Sequence, residues 1–82
     1  MAPEIRFTHG QLLKGYRNRA GMTLRKVSEA CVPSMSPRTI QRIEAGADLT
    51  HGQLAALARA IGLSDEEIDC VAEAARAGGG AS

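Results

Sequence analysis

Two arginines and one glutamine lie close together in the segment that follows Ser36. Arg38 and Arg42 are four residues apart, and this spacing places both side chains on one face of a helix. An arginine can donate two hydrogen bonds to guanine, and a glutamine such as Gln41 can pair with adenine. These residue types indicate a helix that reads base edges in double-stranded DNA, and a solvated basic face is the alternative.

The start of this helix also suits an anion. Ser36 is of the type that caps a helix, and Pro37 is preorganised for the first helical position. A helix start carries unpaired N–H groups and the positive end of the helix dipole, which favour a phosphate. We expect the helix to bury its two isoleucines and to expose the candidate contact residues Arg38, Thr39, Gln41 and Arg42.

A second helix start, at Thr23, is followed by the basic residues Arg25 and Lys26. We expect these charges to position the protein on phosphates, with a merely solvated face as the alternative. The primary role expected of Thr23 and Ser36 is to cap the start of their helices. A phosphate contact by either would be additional, because one hydroxyl can accept from the backbone while it donates outward.

Charge is distributed unevenly along the chain, although the formal net charge is only +1. Residues 1–46 contain eight basic and three acidic residues, whereas residues 47–82 contain two basic and six acidic residues. One end of the molecule can therefore face a polyanion while the other end is repelled by it.

One local pattern marks five helix starts. An apolar residue precedes a hydroxyl residue that can cap a helix, and a second apolar residue follows five positions after the first, as in a hydrophobic staple. The five copies are Phe7-Thr8…Leu12, Met22-Thr23…Val27, Met35-Ser36…Ile40, Leu49-Thr50…Leu54 and Leu63-Ser64…Ile68. Gln11, Gln53 and Glu67 each lie three residues after a cap and predict capping boxes.

Glycines mark three helix ends. Gly21, Gly46 and Gly62 stand just past the first, third and fourth helices, where a left-handed residue is needed. The predicted helices span residues 9–20, 24–31, 37–45, 51–61 and 65–77. We therefore expect an N-terminal arm at residues 1–7, one helical domain at residues 8–77 and a flexible tail at residues 78–82.

Each predicted helix carries an apolar stripe that needs a neighbour. The residues expected to face inward are Leu12, Leu13, Tyr16, Ala20, Val27, Ser28, Cys31, Ile40, Ile43, Leu54, Leu57, Ala58, Ile61, Ile68, Val71, Ala72 and Ala75. His9 and His51 are expected at the surface, and Cys31 and Cys70 are expected to be buried as small apolar side chains. The expected fold class is all-α, with five compactly packed helices.

Composition excludes or disfavours several classes of function. The 82-residue chain has no room for two lobes with a cleft, and no catalytic set or metal-ligand spacing can be assembled. We therefore expect no enzyme activity, no metal and no cofactor. Aromatic residues make up 2% of the chain, which disfavours stacking on single-stranded bases. With no apolar run of membrane-spanning length and no visible secretory signal, we expect a cytoplasmic protein with reduced thiols and no membrane partner.

Four stretches of the chain carry a resemblance to a known family. They are Arg17 to Thr23, Val27-Ser28, the run Ser36-x-x-Thr39-Ile40-x-Arg42-Ile43-Glu44-x-Gly46, and residues 54–63. Residues 12–63 thus resemble the lambda-repressor/Cro-type helix-turn-helix (XRE) family. The resemblance implies a lambda-repressor-like DNA-binding domain whose helix-turn-helix lies at helices two and three.

The same resemblance implies roles for individual residues. Ser36 would contact a phosphate, Pro37, Arg38 and Arg42 would face base edges, and the start of helix two would touch the DNA backbone. The family's structural ion pair between helices one and three would be formed by Arg17 and Glu44.

Three positions depart from the family pattern. The turn from Cys31 to Met35 is longer than usual and lacks the customary glycine, so helix three is expected to enter the groove at a shifted angle. Leu24 stands where the family often has a phosphate-binding glutamine, so that contact is lost or passes to Arg25 or Lys26. Pro37 cannot donate and offers at most an apolar contact to a thymine methyl group.

These observations predict a sequence-specific transcriptional regulator, most simply a small repressor that acts by occupying its operator. A single recognition helix reads few base pairs, so a homodimer on a palindromic site is expected. Helix five, at Cys70, Ala74 and Ala77, or the N-terminal arm is the expected dimer contact. The alternative is a protein-interaction module, such as an antitoxin whose main partner is a toxin.

Overall fold

The computed structural model describes residues 7–79, and within them the chain forms five α-helices and no strand. They are α1 (His9–Arg19), α2 (Leu24–Ala30), α3 (Pro37–Glu44), α4 (His51–Ile61) and α5 (Asp65–Gly79). The predicted all-α fold is confirmed, and every helix begins at its predicted residue. α1, α2 and α3 each end one residue earlier than predicted, and α5 ends two residues later. Residues 1–6 of the expected arm and 80–82 of the expected tail lie outside the described residues, so the division into arm, domain and tail stays a prediction.

The helix starts agree with the sequence because each is determined locally. The hydroxyls of Thr8, Thr23, Ser36 and Thr50 each accept from a backbone N–H three residues later at 3.1 Å. Ser64 does the same for Glu67 at 3.2 Å. The side chains of Gln11, Gln53 and Glu67 bond back to the N–H of their caps, which confirms the three capping boxes.

The predicted helix ends are confirmed at the three glycines. Gly21, Gly46 and Gly62 have φ values of 70°, 113° and 87°. This left-handed region is costly for residues with a Cβ atom, which explains the glycine after each of these three helices.

The core lies where the five helices meet. α1 packs on α3 and α5, α2 packs on α3 and α4, and α4 packs on α5. The buried core residues are Leu13, Val27, Cys31, Ile40, Ile43, Leu54, Ala56, Leu57, Ala58 and Val71. Ala56 was not among the predicted core positions, and it is buried because α4 is covered on two sides, by α2 and α5.

Two predicted core residues are exposed. Ala20 caps the C-terminus of α1, where the chain turns away towards Gly21 and the helical stripe no longer applies. Cys70 is exposed because α5 packs chiefly on α1 and α4, and these two helices leave its position on α5 uncovered. Cys31 is buried as predicted, and this burial raises the pKa of its thiol.

His9 is buried rather than on the surface as predicted. The first turn of α1 packs against the end of α3, so that Gly10 contacts the Glu44 backbone carbonyl. The His9 Nε2–H donates to the carbonyl oxygen of Ala47 at 2.8 Å, which satisfies the buried ring nitrogen. His51 is exposed, as predicted.

Candidate functional site

α3 is held in the core by one face and exposes the other. Ile40 and Ile43 are each 1% exposed. Arg38, Gln41 and Arg42 are exposed on the opposite side. Among the residues that the structure describes, neither arginine forms an ion pair with a carboxylate. Three donor-bearing side chains are therefore presented together on one solvated helix face.

The start of α3 contains two linked hydroxyls. The Ser36 Oγ accepts from the Thr39 backbone N–H at 3.1 Å and lies 2.9 Å from the Thr39 Oγ1. Only one of the two hydroxyl hydrogens is used between these oxygens, so the other remains able to donate to an external acceptor. Thr39 is half-buried, not exposed as predicted, because its side chain turns back onto the cap. Pro37 is exposed at the first helical position.

The start of α2 presents two further cations. Thr23 accepts from the Lys26 backbone N–H at 3.1 Å, and the side chains of Arg25 and Lys26 are exposed. Leu24 is half-buried against the core instead. α2 packs directly on α3, so the structure brings the candidate residues into one helix pair.

Arg17 connects three parts of the chain. Its Nε and Nη2 atoms donate to the two carboxylate oxygens of Glu44 at 2.7 and 3.0 Å, and its Nη1 donates to the Met22 carbonyl at 3.0 Å. The hydrogen bonds to Glu44 raise the pKa of Arg17 above its ordinary value. The ion pair implied by the family resemblance is therefore confirmed, and it fixes the C-terminal end of α3 to α1.

A second ion pair was not predicted. Arg19 Nη2 lies 2.7 Å from a carboxylate oxygen of Glu67, and the guanidinium also lies 5.0 Å from the centre of the Tyr16 ring. The ion pair joins α1 to α5, whereas the contact with Tyr16 lies within α1. Arg19 and Glu67 are 48 residues apart in the sequence, so no local spacing predicts the pair.

Ser28 was predicted only as a small inward-facing residue. Its hydroxyl donates to the Met35 carbonyl at 2.6 Å, two residues before α3 begins. A polar residue in the apolar stripe of α2 is the only sequence signal for this contact.

Negative charge is concentrated on α5, away from α3. Asp65, Glu66, Asp69 and Glu73 are exposed there, and α5 packs chiefly on α1 and α4. An apolar groove runs between α4 and α5. Its lining includes Leu54, Ala55, Ala58, Leu63, Ile68 and Ala72.

Within residues 7–79 no group of three or more His, Cys, Asp or Glu side chains is arranged to hold a metal ion. No helix in the same part of the chain is long and apolar enough to cross a membrane.

Comparison with known proteins gives one match. A family model described as "Helix-turn-helix domain" matches residues 10–70, which is well over half of the chain. Neither the curated proteins nor the solved structures contain a match.

Proposed function

The chain belongs to this XRE-like helix-turn-helix family, and from that premise we propose that it is a sequence-specific DNA-binding transcriptional regulator, a small dimeric repressor that acts by occupying its operator. The observation that carries the proposal is the outer face of α3. Arg38, Gln41 and Arg42 are exposed there without carboxylate partners among the described residues, while two buried isoleucines anchor the helix in the core.

The side chains of α3 divide into base readers and phosphate ligands in this proposal. Arg38 and Arg42 donate to guanine edges, and Gln41 pairs with adenine or a neighbouring phosphate. The linked hydroxyls of Ser36 and Thr39 supply one free O–H donor for a phosphate.

The remaining contacts position the protein on the duplex. The caps Thr23 and Ser36 lie at helix starts, and Arg25 and Lys26 are exposed cations that approach phosphates. Pro37 contributes an apolar contact to a thymine methyl group. Because Leu24 packs on the core, the phosphate contact of the family's glutamine passes to these two cations.

The second part of the proposal is a homodimer on a palindrome. One short recognition helix distinguishes only a few base pairs, so two copies on half-sites about 10 base pairs apart are needed for operator specificity. The apolar groove between α4 and α5 supports a protein contact on the side of the molecule that carries the acidic residues. This groove is a different surface from the predicted contact at Cys70, Ala74 and Ala77 or the N-terminal arm, which stays a prediction. Binding of DNA by α3 leaves this groove free.

The proposal is tested by selection from a random duplex library at moderate salt. We expect the purified protein to enrich one inverted repeat, with affinity that falls steeply as salt rises, because phosphate contacts release counterions. An unchanged library after several rounds, with protein shown to be folded, would exclude the repressor.

The second candidate function is a module whose main partner is another protein, such as a toxin. The same α4–α5 groove is the observation that favours it, because an apolar groove can also seat a helix of a partner. Failure of the duplex selection together with a stable protein complex that is insensitive to salt would favour this candidate.

A further inference from the structure

We propose that Ser28 is a positioning residue that sets the angle at which α3 meets DNA. This inference rests on the proposed DNA-binding function, but its structural half can be measured on the free protein. It concerns the turn of residues 31–35, which lacks the glycine expected from the family.

Ser28 holds both ends of this turn. Its carbonyl accepts from the Cys31 N–H at 3.3 Å, where the chain leaves α2. Its hydroxyl donates to the Met35 carbonyl at 2.6 Å, where the chain enters α3. Among the residues that the structure describes, no other hydrogen bond joins α2 to residues 32–36.

The middle of the turn adds little to this attachment. Val32 is 74% exposed, and Pro33 and Ser34 are exposed as well. The chain returns to the core only at Met35, whose side chain packs against the core cluster. The Ser28 hydroxyl therefore supplies the polar attachment of the turn where it meets α3.

The two ends of α3 are attached by different residues. The C-terminal end is fixed to α1 by the Arg17–Glu44 pair and by the close approach of Gly10. The N-terminal end follows Met35 by two residues, and this end carries the cap and Arg38. Loss of the Ser28 hydrogen bond therefore tilts α3 about its fixed C-terminal end, and the tilt moves the base-reading side chains.

The test compares Ser28→Ala with Ser34→Ala. Both substitutions remove one serine hydroxyl near the same turn, but the Ser34 side chain forms no hydrogen bond among residues 7–79. The angle between α2 and α3 is measured by residual dipolar couplings on the free protein. Affinity for the selected duplex and for a scrambled duplex is then measured with both variants.

We expect Ser28→Ala to change the α2–α3 angle beyond experimental error, whereas Ser34→Ala leaves it unchanged. We also expect the ratio of specific to non-specific affinity to fall by about tenfold, which is the effect of losing one good base contact. Simple destabilisation would lower the folded fraction and reduce both affinities alike, so the ratio separates positioning from stability.

The outcomes are distinguishable. An unchanged angle in Ser28→Ala overturns the positioning role, whatever the DNA result. A changed angle with an unchanged affinity ratio overturns the link to specificity. If the wild-type protein shows no sequence preference, the proposed function and that link fail together, and the angle still decides whether Ser28 orients α3.

Discussion

Individual side chains in this molecule separate into those that hold the fold and those that face outward with free donors. Arg17 and Arg42 illustrate the division. The Arg17 side chain is 11% exposed and donates hydrogen bonds to Glu44 and to the Met22 carbonyl. Arg42 is exposed and pairs with no carboxylate among the described residues. The same residue type thus has a structural role at one position and an available recognition role at the other.

At the residue scale, Arg38→Ala and Lys26→Ala should affect DNA binding differently. In the proposed complex Arg38→Ala removes a base contact, so it should cost about 1–3 kcal/mol on the selected duplex and relax the base preference at one position. In the same proposed complex Lys26→Ala removes a phosphate contact, so it should weaken all duplexes alike and lower the slope of log affinity against log salt by about 1. Fluorescence anisotropy over a salt series measures both.

Equal losses on specific and scrambled duplexes for Arg38→Ala would contradict its assignment as a base reader. Thermal unfolding of each variant is the control, because both side chains are exposed and neither substitution should affect folding.

The pH dependence of stability should reveal the contribution of the Glu67 carboxylate to folding. Hydrogen bonds from the Ser64 backbone and from Arg19 hold the pKa of this carboxyl below its ordinary value of 4.5. A carboxyl whose pKa is lowered in the folded state stabilises the protein at every pH above its ordinary pKa. This contribution is lost as the pH falls through the lower pKa of the folded state. Glu67→Gln should therefore flatten the loss of stability below about pH 5.

Urea unfolding midpoints at a series of pH values measure this effect. Glu73→Gln is the matched control, because Glu73 is an exposed carboxylate on the same helix with no hydrogen bond or ion pair among the described residues. Parallel acid profiles for wild type and Glu67→Gln would show that the Arg19–Glu67 contact has no energetic role.

At the scale of elements, the close packing of α1 on α3 predicts opposite effects for two glycines. A Cβ atom at Gly10 would lie 2.6 Å from the Ile43 carbonyl oxygen, and backbone atoms cannot move aside without shifting α3. Gly10→Ala should therefore destabilise the protein by about 1–3 kcal/mol. Gly15→Ala meets nothing within 4 Å and should stabilise it by about 0.5–1 kcal/mol, because alanine favours a helix.

Chemical denaturation with a common m-value measures both changes. Similar stabilisation by the two substitutions would mean that α1 and α3 are less tightly packed than the structure shows.

The elements also show how much the sequence determines locally. All five caps, three capping boxes and three glycine ends were predictable, because each depends on residues within one turn of each other. His9, Cys70 and Ala20 were predicted wrongly for a common reason. Their burial depends on which helix packs over them. Helical periodicity does not show how far along or around a helix such a packing contact extends.

The candidate site was predictable from the sequence to a similar extent. The spacing of Arg38 and Arg42 placed both on one exposed face, as observed. The half-buried Thr39 and the Ser28 contact to Met35 were not predictable, because both depend on the path of a turn for which no regular pattern exists. Turn geometry is fixed by tertiary contacts once the usual glycine is absent.

At the scale of the whole molecule, the α4–α5 groove makes the proposed dimer testable. Ala55 lines this groove and is exposed, so Ala55→Glu should leave the fold intact while placing a carboxylate in the apolar contact. We expect it to weaken self-association by about tenfold or more, since burial of an unpaired charge is costly. Sedimentation velocity over a concentration series measures the change.

Ala20→Glu is the control, because Ala20 is exposed at the end of α1 and does not line the groove. A wild-type protein that sediments as a monomer at all concentrations would exclude the dimer, and an unaffected Ala55→Glu variant would move the interface elsewhere.

The residues that hold α3 in place differ from those that it exposes, and this separation has an evolutionary consequence. The helix is retained by its inward isoleucines, its cap and Glu44, and none of these needs the identity of positions 38, 41 or 42. Exchange of exposed residues typically alters folding free energy by less than about 0.5 kcal/mol. If α3 reads DNA as proposed, a duplicated gene can acquire a new target through a few codon changes, without first gaining stability elsewhere in the fold.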